Sequence, residues 1–299
     1  MSALIIIEHS MHWPDEIVAA VQEEGWEPIL VTHHASEQDR QGSWRTIEAD
    51  TESPQAMLKA IRSELSQEEL QGLVTFSDFH VPVSAAVAKT LQLPFLKERA
   101  AQLCRDKTKT RQILQRAGVA QPDFEIVKSL EQAQAAAKKI GFPCILKPVD
   151  EVGSLGVRVV RTAAEVQQAW EYMQQRESYG GDHPIRDVAL IEQYVPGLEY
   201  GVDVLVSPQG MQIVGIAEKK LSPPPFCVLM DYETPPALSE LQRQAIRKVS
   251  LDSLKAVGFD FGAAHVELKR DGEQPKIIEI NARMVGARIS TLWEAAMGH

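Results

Sequence analysis

A change of rhythm near residue 95 constrains the fold more than any other feature of this chain. Before it, short apolar runs alternate with segments of helical spacing. Ala3–Ile7 is a continuous apolar run, Pro14–Glu24 follows with helical periodicity, and Pro28–Thr32 is the next run. Pro54–Leu65 reads as a helix, Gly72–Phe76 as a strand and Val81–Leu91 as a helix. Strands buried on both faces lose the polar alternation of a half-exposed strand, and parallel neighbours need a crossover between them. The pattern therefore predicts βαβ units and a parallel sheet. No GxGxxG follows the first strand, so a dinucleotide site is not expected there. The lobe reads as a scaffold that helps to form a substrate cleft.

After Leu93-Pro94 the pattern differs. Lys97–Gly118 reads as helical, ending on a glycine cap. Phe124–Val127 is a strand, Ser129 caps a helix through Lys139, and Gly141-Phe142-Pro143 turns into the strand Cys144–Val149. Strand Val157–Arg161, helix Ala163–Arg176 and strand Val188–Tyr194 follow. From Gly197 come two more strands, a Pro-rich loop at Ser222–Pro225, a helix at Leu238–Val257 and a hairpin ending at Asn281. Strands in adjacent pairs with short turns predict an α+β arrangement with antiparallel pairing. The expected divisions are a parallel α/β domain at 1–96, a helical connector at 97–122, a small lobe at 123–195 and a large lobe at 196–299.

Composition mainly excludes. The 299 residues carry a formal charge of −10, spread along the chain, which argues against nucleic acid or an anionic membrane as the main partner. Three separated cysteines show no zinc or disulfide spacing. No basic leader precedes the first strand, and no apolar run approaches the ~18 residues of a membrane span. These signs give a cytoplasmic expectation.

Three blocks carry chemistry. In the last hairpin, Ala264–Arg283, Glu267 and Glu279 lie symmetrically about residue 273 and so are expected to face each other across an antiparallel pair. Like charges placed so destabilise a sheet unless something neutralises them. Asn281 and Arg283 continue on that face by the period of two, which sends Ile278 and Ile280 to the core. Two carboxylates and an amide oxygen suit Mg²⁺ shared with a phosphate chain. The second block is Lys147, in the otherwise apolar strand Cys144-Ile145-Leu146-Lys147, followed by Gly153-Ser154-Leu155-Gly156. A buried lysine needs an anion, and glycines let backbone N–H groups approach phosphate oxygens. The third is Glu192-Gln193-Tyr194-Val195-Pro196-Gly197 followed by Glu199, which reads either as a surface turn or as a connector offering backbone groups to an adenine edge.

These blocks, in this order, resemble the ATP-grasp superfamily from about Phe76 onward. The likeness is greatest to its L-amino-acid-ligase-like branch of carboxylate–amine ligases. It is carried by Thr75-Phe76-Ser77-Asp78-Phe79-His80-Val81-Pro82, Cys104-Arg105-Asp106-Lys107 and Glu279-Ile280-Asn281-Ala282-Arg283. The resemblance implies a pre-ATP-grasp domain followed by two α+β lobes clasping ATP. It implies Lys107 on the α-phosphate, Lys147 on the α- and β-phosphates, and Gly153–Gly156 as the loop closing over them. Glu192, Gln193 and Val195, with Tyr194 between, match the adenine-edge positions, the second and last acting through backbone, and Glu199 matches the ribose carboxylate. Glu267, Glu279 and Asn281 match ligands for Mg²⁺, or Mn²⁺ in its place, and Arg283 the arginine near the transferred phosphate. Lys219 or Lys220 is the candidate for a further γ-phosphate lysine, and His265 for a substrate-side role.

The implied reaction joins a small carboxylate to an amine through an acyl phosphate, releasing ADP and phosphate; a homodimer is the expected assembly. Two departures stand out. Several amino-acid ligases carry a Gly-His pair before a proline in a long loop, where this chain reads Met230-Asp231-Tyr232-Glu233-Thr234-Pro235. Members of the branch also continue well beyond the point corresponding to His299, so the C-terminal part is expected to be missing. The last residues, with Arg288, read as leading into a helix at Ser290–Met297. The alternatives are an ATP-dependent carboxylase, for which no biotinyl-type Met-Lys-Met motif occurs, and a non-catalytic ATP-binding module.

Overall fold

The structure, a computed structural model, describes residues 2–8, 14–175, 186–272, 274–286 and 295. Among them the N-terminal region runs β1 (Ala3–Ile7), α1 (Pro14–Glu23), β2 (Glu27–Thr32), α2 (Glu37–Gln41), β3 (Arg45–Glu48), α3 (Pro54–Glu64), β4 (Leu70–Thr75) and α4 (Val81–Thr90). The strands form one parallel sheet in the order β3-β2-β1-β4. Central β1 buries Ile5 and Ile7 completely, as its unbroken apolar run requires. Helix α3 starts where Ser53 accepts the Ala56 N–H and lays Met57 and Ile61, one turn apart, into the same core. The sequence reading lacks α2 and β3. The latter is an edge strand with one buried side chain, Ile47, so it carries no apolar run.

The expected helical stretch 97–118 is two helices, α5 (Glu98–Arg105) and α6 (Lys107–Arg116), broken at Asp106. The Asp106 carboxylate accepts from the N–H groups of Thr108 at 3.0 Å and Lys109 at 3.4 Å, so this residue starts the second helix while it ends the first. Gly118, at φ +67°, turns the chain out of α6.

A second sheet, antiparallel in the order β5-β8-β6-β7, is built from β5 (Phe124–Val127), β6 (Cys144–Pro148), β7 (Arg158–Val160) and β8 (Ala189–Gln193). Helices α7 (Leu130–Ile140) and α8 (Ala163–Gln175) cover one face, packing Ala137, Trp170 and Met173 on Leu146 and Ile191. The third sheet, also antiparallel, has the order β11-β10-β9-β12-β13. Its strands are β9 (Leu198–Ser207), β10 (Gly210–Leu221), β11 (Leu229–Glu233), β12 (Gly262–Asp271) and β13 (Gln274–Asn281). Helix α9 (Glu240–Val257) opens with a Ser239 capping box, two residues later than the sequence suggests, and packs on one face with α5 and α6. That leaves the other face toward the second sheet. Residues 230–233, read as part of a long loop, are strand β11, with Tyr232 opposite Lys219 of β10. Arg288 and, apart from residue 295, the expected helix Ser290–Met297 lie outside the described residues.

Candidate active site

Between the two antiparallel sheets lies a cleft of about 340 Å³. Its small-lobe wall contains Lys147 on β6, Gly153, Ser154 and Leu155 of the following loop, and Glu192, Gln193, Tyr194 and Val195 where β8 runs into the connector. Its large-lobe wall contains Glu199, Lys219, His265 and Glu267, with Glu279, Asn281 and Arg283 beyond the hairpin turn. Lys107, at the start of α6, also lines it. Gly156, the fourth loop position of the motif, is not among the lining residues. Ile145, Val195 and Ile278 contribute apolar side chains to its walls.

The hairpin explains the acidic end. Glu267 and Glu279 are direct partners in the β12–β13 ladder, as expected, although the turn pairs Asp271 with Gln274 and so is centred half a residue before 273. One residue further on, Leu268 pairs with Ile277, so Ile278 is the extra residue of a bulge. This corrects the expectation that Ile278 and Ile280 share the core: Ile280 and Ile277 are buried, while the bulge turns Ile278 into the cleft wall. The opposed carboxylates are each held by a lysine from another element. Lys219 Nζ lies 2.6 Å from Glu267 Oε1 and 2.9 Å from Glu199 Oε1, and Lys107 Nζ lies 3.0 Å from Glu279 Oε1. Burial would raise the Glu267 pKa, but Lys219 and His265 outweigh it and hold the carboxyl well below its ordinary range. The same burial raises Glu199, and it opposes a Lys219 pKa that the two glutamates nevertheless push up. Strand alternation puts Lys220 on the opposite face, half exposed, beside Asp231 and Glu233. Of the two candidate lysines, only Lys219 lines the cleft.

His265 stands beneath this cluster, with Nδ1 3.0 Å from Asp203 Oδ1 and Nε2 3.5 Å from Glu267 Oε1. Desolvation acts against its protonation, and the two carboxylates override it, so its pKa is raised. The neighbouring strand offers no side chain at Gly201, where a Cβ would lie 2.6 Å from the imidazole. Arg283 is oriented from the N-terminal region by Asp78 Oδ2, which accepts from its Nε at 2.7 Å and its second terminal nitrogen at 2.6 Å.

The small-lobe wall holds a different cluster. Glu192 accepts from Arg111 Nε at 2.7 Å through one oxygen, and from Arg111 at 3.1 Å and Lys147 Nζ at 2.9 Å through the other. Its carboxylate thus faces two cations and is committed to them, which departs from the adenine-edge role the resemblance gives this position. Burial pushes the Glu192 carboxyl up, and Arg111 and Lys147 override it to hold the pKa at about 2. Burial lowers the Lys147 pKa, with Glu192 opposing. Gln193 gives its N–H to Asp123 O at 2.8 Å and receives Lys276 on its side chain at 2.7 Å. Lys269 lies over the Tyr194 ring, 5.6 Å from its centroid. Sequence reasoning missed Arg111, although its position four residues after Lys107 on one helix puts both on one face.

The loop after β6 bends through Gly153 and Ser154 at φ +62° and +61°. Ser154 Oγ donates to Cys227 O at 3.5 Å, and Val159 N–H donates to Pro225 O at 3.0 Å, so the Pro-rich loop of the large lobe meets the small lobe at the cleft mouth. Arg158 lies between Phe226 and Tyr172, 4.6 and 4.2 Å from their ring centroids, at the same junction.

Among the described residues no three His, Cys, Asp or Glu side chains converge as a metal-binding group. The oxygen donors in line are Glu267, Glu279 and Asn281, and the two carboxylates already draw ammonium groups to themselves. Hard oxygens with a demand for positive charge fit a divalent cation shared with a phosphate chain.

A profile of the ATP-grasp domain matches residues 140–292, just over half of the chain. An uncharacterized protein of Sinorhizobium fredii is 26% identical over 95% of this chain and 58% of its own length. The D-alanine–D-alanine ligase of Stutzerimonas stutzeri is 31% identical over 58% of this chain and 53% of the ligase. This chain therefore spans little more than half the length of these two relatives. The crystal structure of L-amino acid ligase from Bacillus licheniformis superposes with a TM-score of 0.82 at 26% identity, covering 97% of this chain and 69% of that one. The chain belongs to the ATP-grasp family.

Proposed function

We propose that this chain binds Mg·ATP in the cleft and uses it to join a small carboxylate to an amine. The observation that carries the reading is the pair of facing carboxylates, Glu267 and Glu279, each held by a lysine at one end of a cleft whose opposite wall presents Lys147. The ligase activity named for the Bacillus licheniformis and Stutzerimonas stutzeri proteins supports it. The expected divisions at residues 96, 122 and 195 belong to the same proposal.

In this reading the apolar side chains of Ile145, Val195 and Ile278 take the adenine, with Gln193 and Tyr194 at the connector and Glu199 toward the ribose. Lys107 and Lys147 bind the phosphate chain, and Gly153, Ser154 and Leu155 close over it. Glu267, Glu279 and Asn281 would hold Mg²⁺, which when bound offsets charge on the transferring phosphoryl group. Arg283, fixed by Asp78, and Lys219, fixed between Glu199 and Glu267, present positive charge at the same end. A substrate carboxylate oxygen attacks the γ-phosphorus, the bond to the β-phosphate oxygen breaks, and ADP leaves. The amine then attacks the acyl carbon, the bond to phosphate breaks and the amine proton passes to solvent. Contact between the Pro-rich loop and the small lobe at the mouth supports exclusion of water from the acyl phosphate. A homodimer and a cytoplasmic location complete the proposal; no described helix is long and apolar enough to cross a membrane.

The test is ADP release from Mg·ATP, screened against pooled amino acids and small carboxylic acids, for the wild type and Glu279→Gln. Turnover that needs one acid and one amine, and is lost in the variant, supports the ligase. Turnover with bicarbonate in place of the acid supports the carboxylase alternative. Binding without turnover supports a binding module.

A further inference from the structure

We infer that Arg111 is a positioning residue for the nucleotide, setting Lys147 through Glu192 and Glu279 through the β13 bulge. This rests on the proposed ATP reading. Arg111 is 2% exposed and is absent from the cleft lining, so it acts only through other residues. Its fork is fully engaged. Besides the two bonds to Glu192, it donates to Ile277 O at 3.0 Å, Ile278 O at 2.8 Å and Gln121 Oε1 at 3.5 Å. The two carbonyls flank the point where the extra bulge residue enters, immediately before Glu279. One planar group on α6 thus ties together the strand carrying Glu192, the ammonium of Lys147 and the strand carrying Glu279. A lysine in its place has a single point of charge and no fixed fork.

The charge count gives this arrangement a direction. Arg111, Lys147 and Lys107 face two carboxylates, Glu192 and Glu279, so this cluster carries one positive charge more than it neutralises. Burying such an excess is unfavourable unless an anion completes it. Of the two cations on Glu192, Lys147 lines the cleft, so an anion completes the charge there. A phosphate chain bound against Lys147 and Glu279 meets both groups that Arg111 positions.

A purely structural arginine and a positioning one differ in what their loss does to ligands. Affinities for ATP with Mg²⁺ and for adenosine are measured by calorimetry for wild type, for Arg111→Lys, and for Arg111→Met paired with Glu192→Gln. The paired variant removes the Arg111 and Glu192 charges together and leaves the net charge beside Lys147 unchanged, while Arg111→Lys keeps Glu192 and so reports on the guanidinium fork alone. Both variants are expected to bind ATP about tenfold more weakly while keeping adenosine affinity within about twofold. ATP affinity within about twofold of wild type, or an equal loss for ATP and adenosine, overturns the inference. Failure of both variants to fold assigns Arg111 to stability alone and overturns it too. A wild type that does not prefer ATP to adenosine defeats the ATP reading itself, and the inference with it.

Discussion

The two charge clusters that face each other across the cleft are built on opposite terms. On the small-lobe side Glu192 and Lys147 are 3% and 5% exposed, and every polar atom of the Arg111–Glu192 pair has a partner inside the protein. On the hairpin side Glu267 and Glu279 are 20% and 24% exposed, lie opposite each other, and depend on lysines reaching over from β10 and α6. The first is a fixed frame. The second is a pair of acids held in check by cations, at the position that the proposed function gives to a divalent ion. A cleft with one closed and one more open wall is suited to holding a nucleotide still while charge moves at one end.

That contrast is broken most directly by removing one cation from each side. Arg111→Met leaves buried Glu192 with Lys147 but without the guanidinium fork, and leaves two carbonyls of β13 without their donor, and is expected to lower stability by about 3–5 kcal/mol in urea unfolding. Lys107→Met leaves a more open Glu279 and is expected to lower it by less than about 1 kcal/mol. Equal losses would mean that the two walls do not differ.

Acid sharpens it further. The folded-state pKa of Glu192 is about 2 against an ordinary 4.5, so the unfolded chain binds more protons between these values. The stability this group contributes is therefore complete above pH 4.5 and is lost as pH falls toward 2. The amount is on the order of 3 kcal/mol. Urea midpoints followed from neutral pH into that range should fall less steeply in Glu192→Gln than in wild type, and parallel slopes would contradict the hold of Arg111 and Lys147 on Glu192.

The smallest effect separates the two neighbouring lysines. Lys220→Ala removes a half-exposed surface pair and is expected to change stability by no more than about 0.5 kcal/mol and to leave ATP affinity unaltered. Lys219→Ala leaves Glu199 and Glu267 without the ammonium between them and is expected to alter both.

Much of this was legible in the sequence where a residue's surroundings force its pattern. Strand β1 and the Pro28–Val31 stretch of β2 are apolar because both their faces are covered, whereas edge strand β3 buries only Ile47 and leaves no such trace. Symmetry about residue 273 predicts the facing of Glu267 and Glu279, but the turn is centred half a residue earlier, and the extra residue Ile278, which leaves composition and spacing almost unchanged, is what brings the two carboxylates into register. Lys147 announces itself as a charge in an apolar strand. Arg111 does not, because in a helix with Lys107, Lys109 and Arg116 it looks like another solvated cation, and its partners lie on β8 and β13. The commitment of Glu192 to Arg111 and Lys147 leaves no trace in the sequence for the same reason.

The most direct test of the central claim, that the hairpin carboxylates exchange their lysines for a metal shared with ATP, is the dependence of ATP affinity on Mg²⁺ in wild type and Glu279→Gln. The account predicts that Mg²⁺ tightens ATP binding by about tenfold or more in wild type and by much less in the variant, with adenosine indifferent to the metal in both. Equal Mg²⁺ dependence in the two proteins would contradict it.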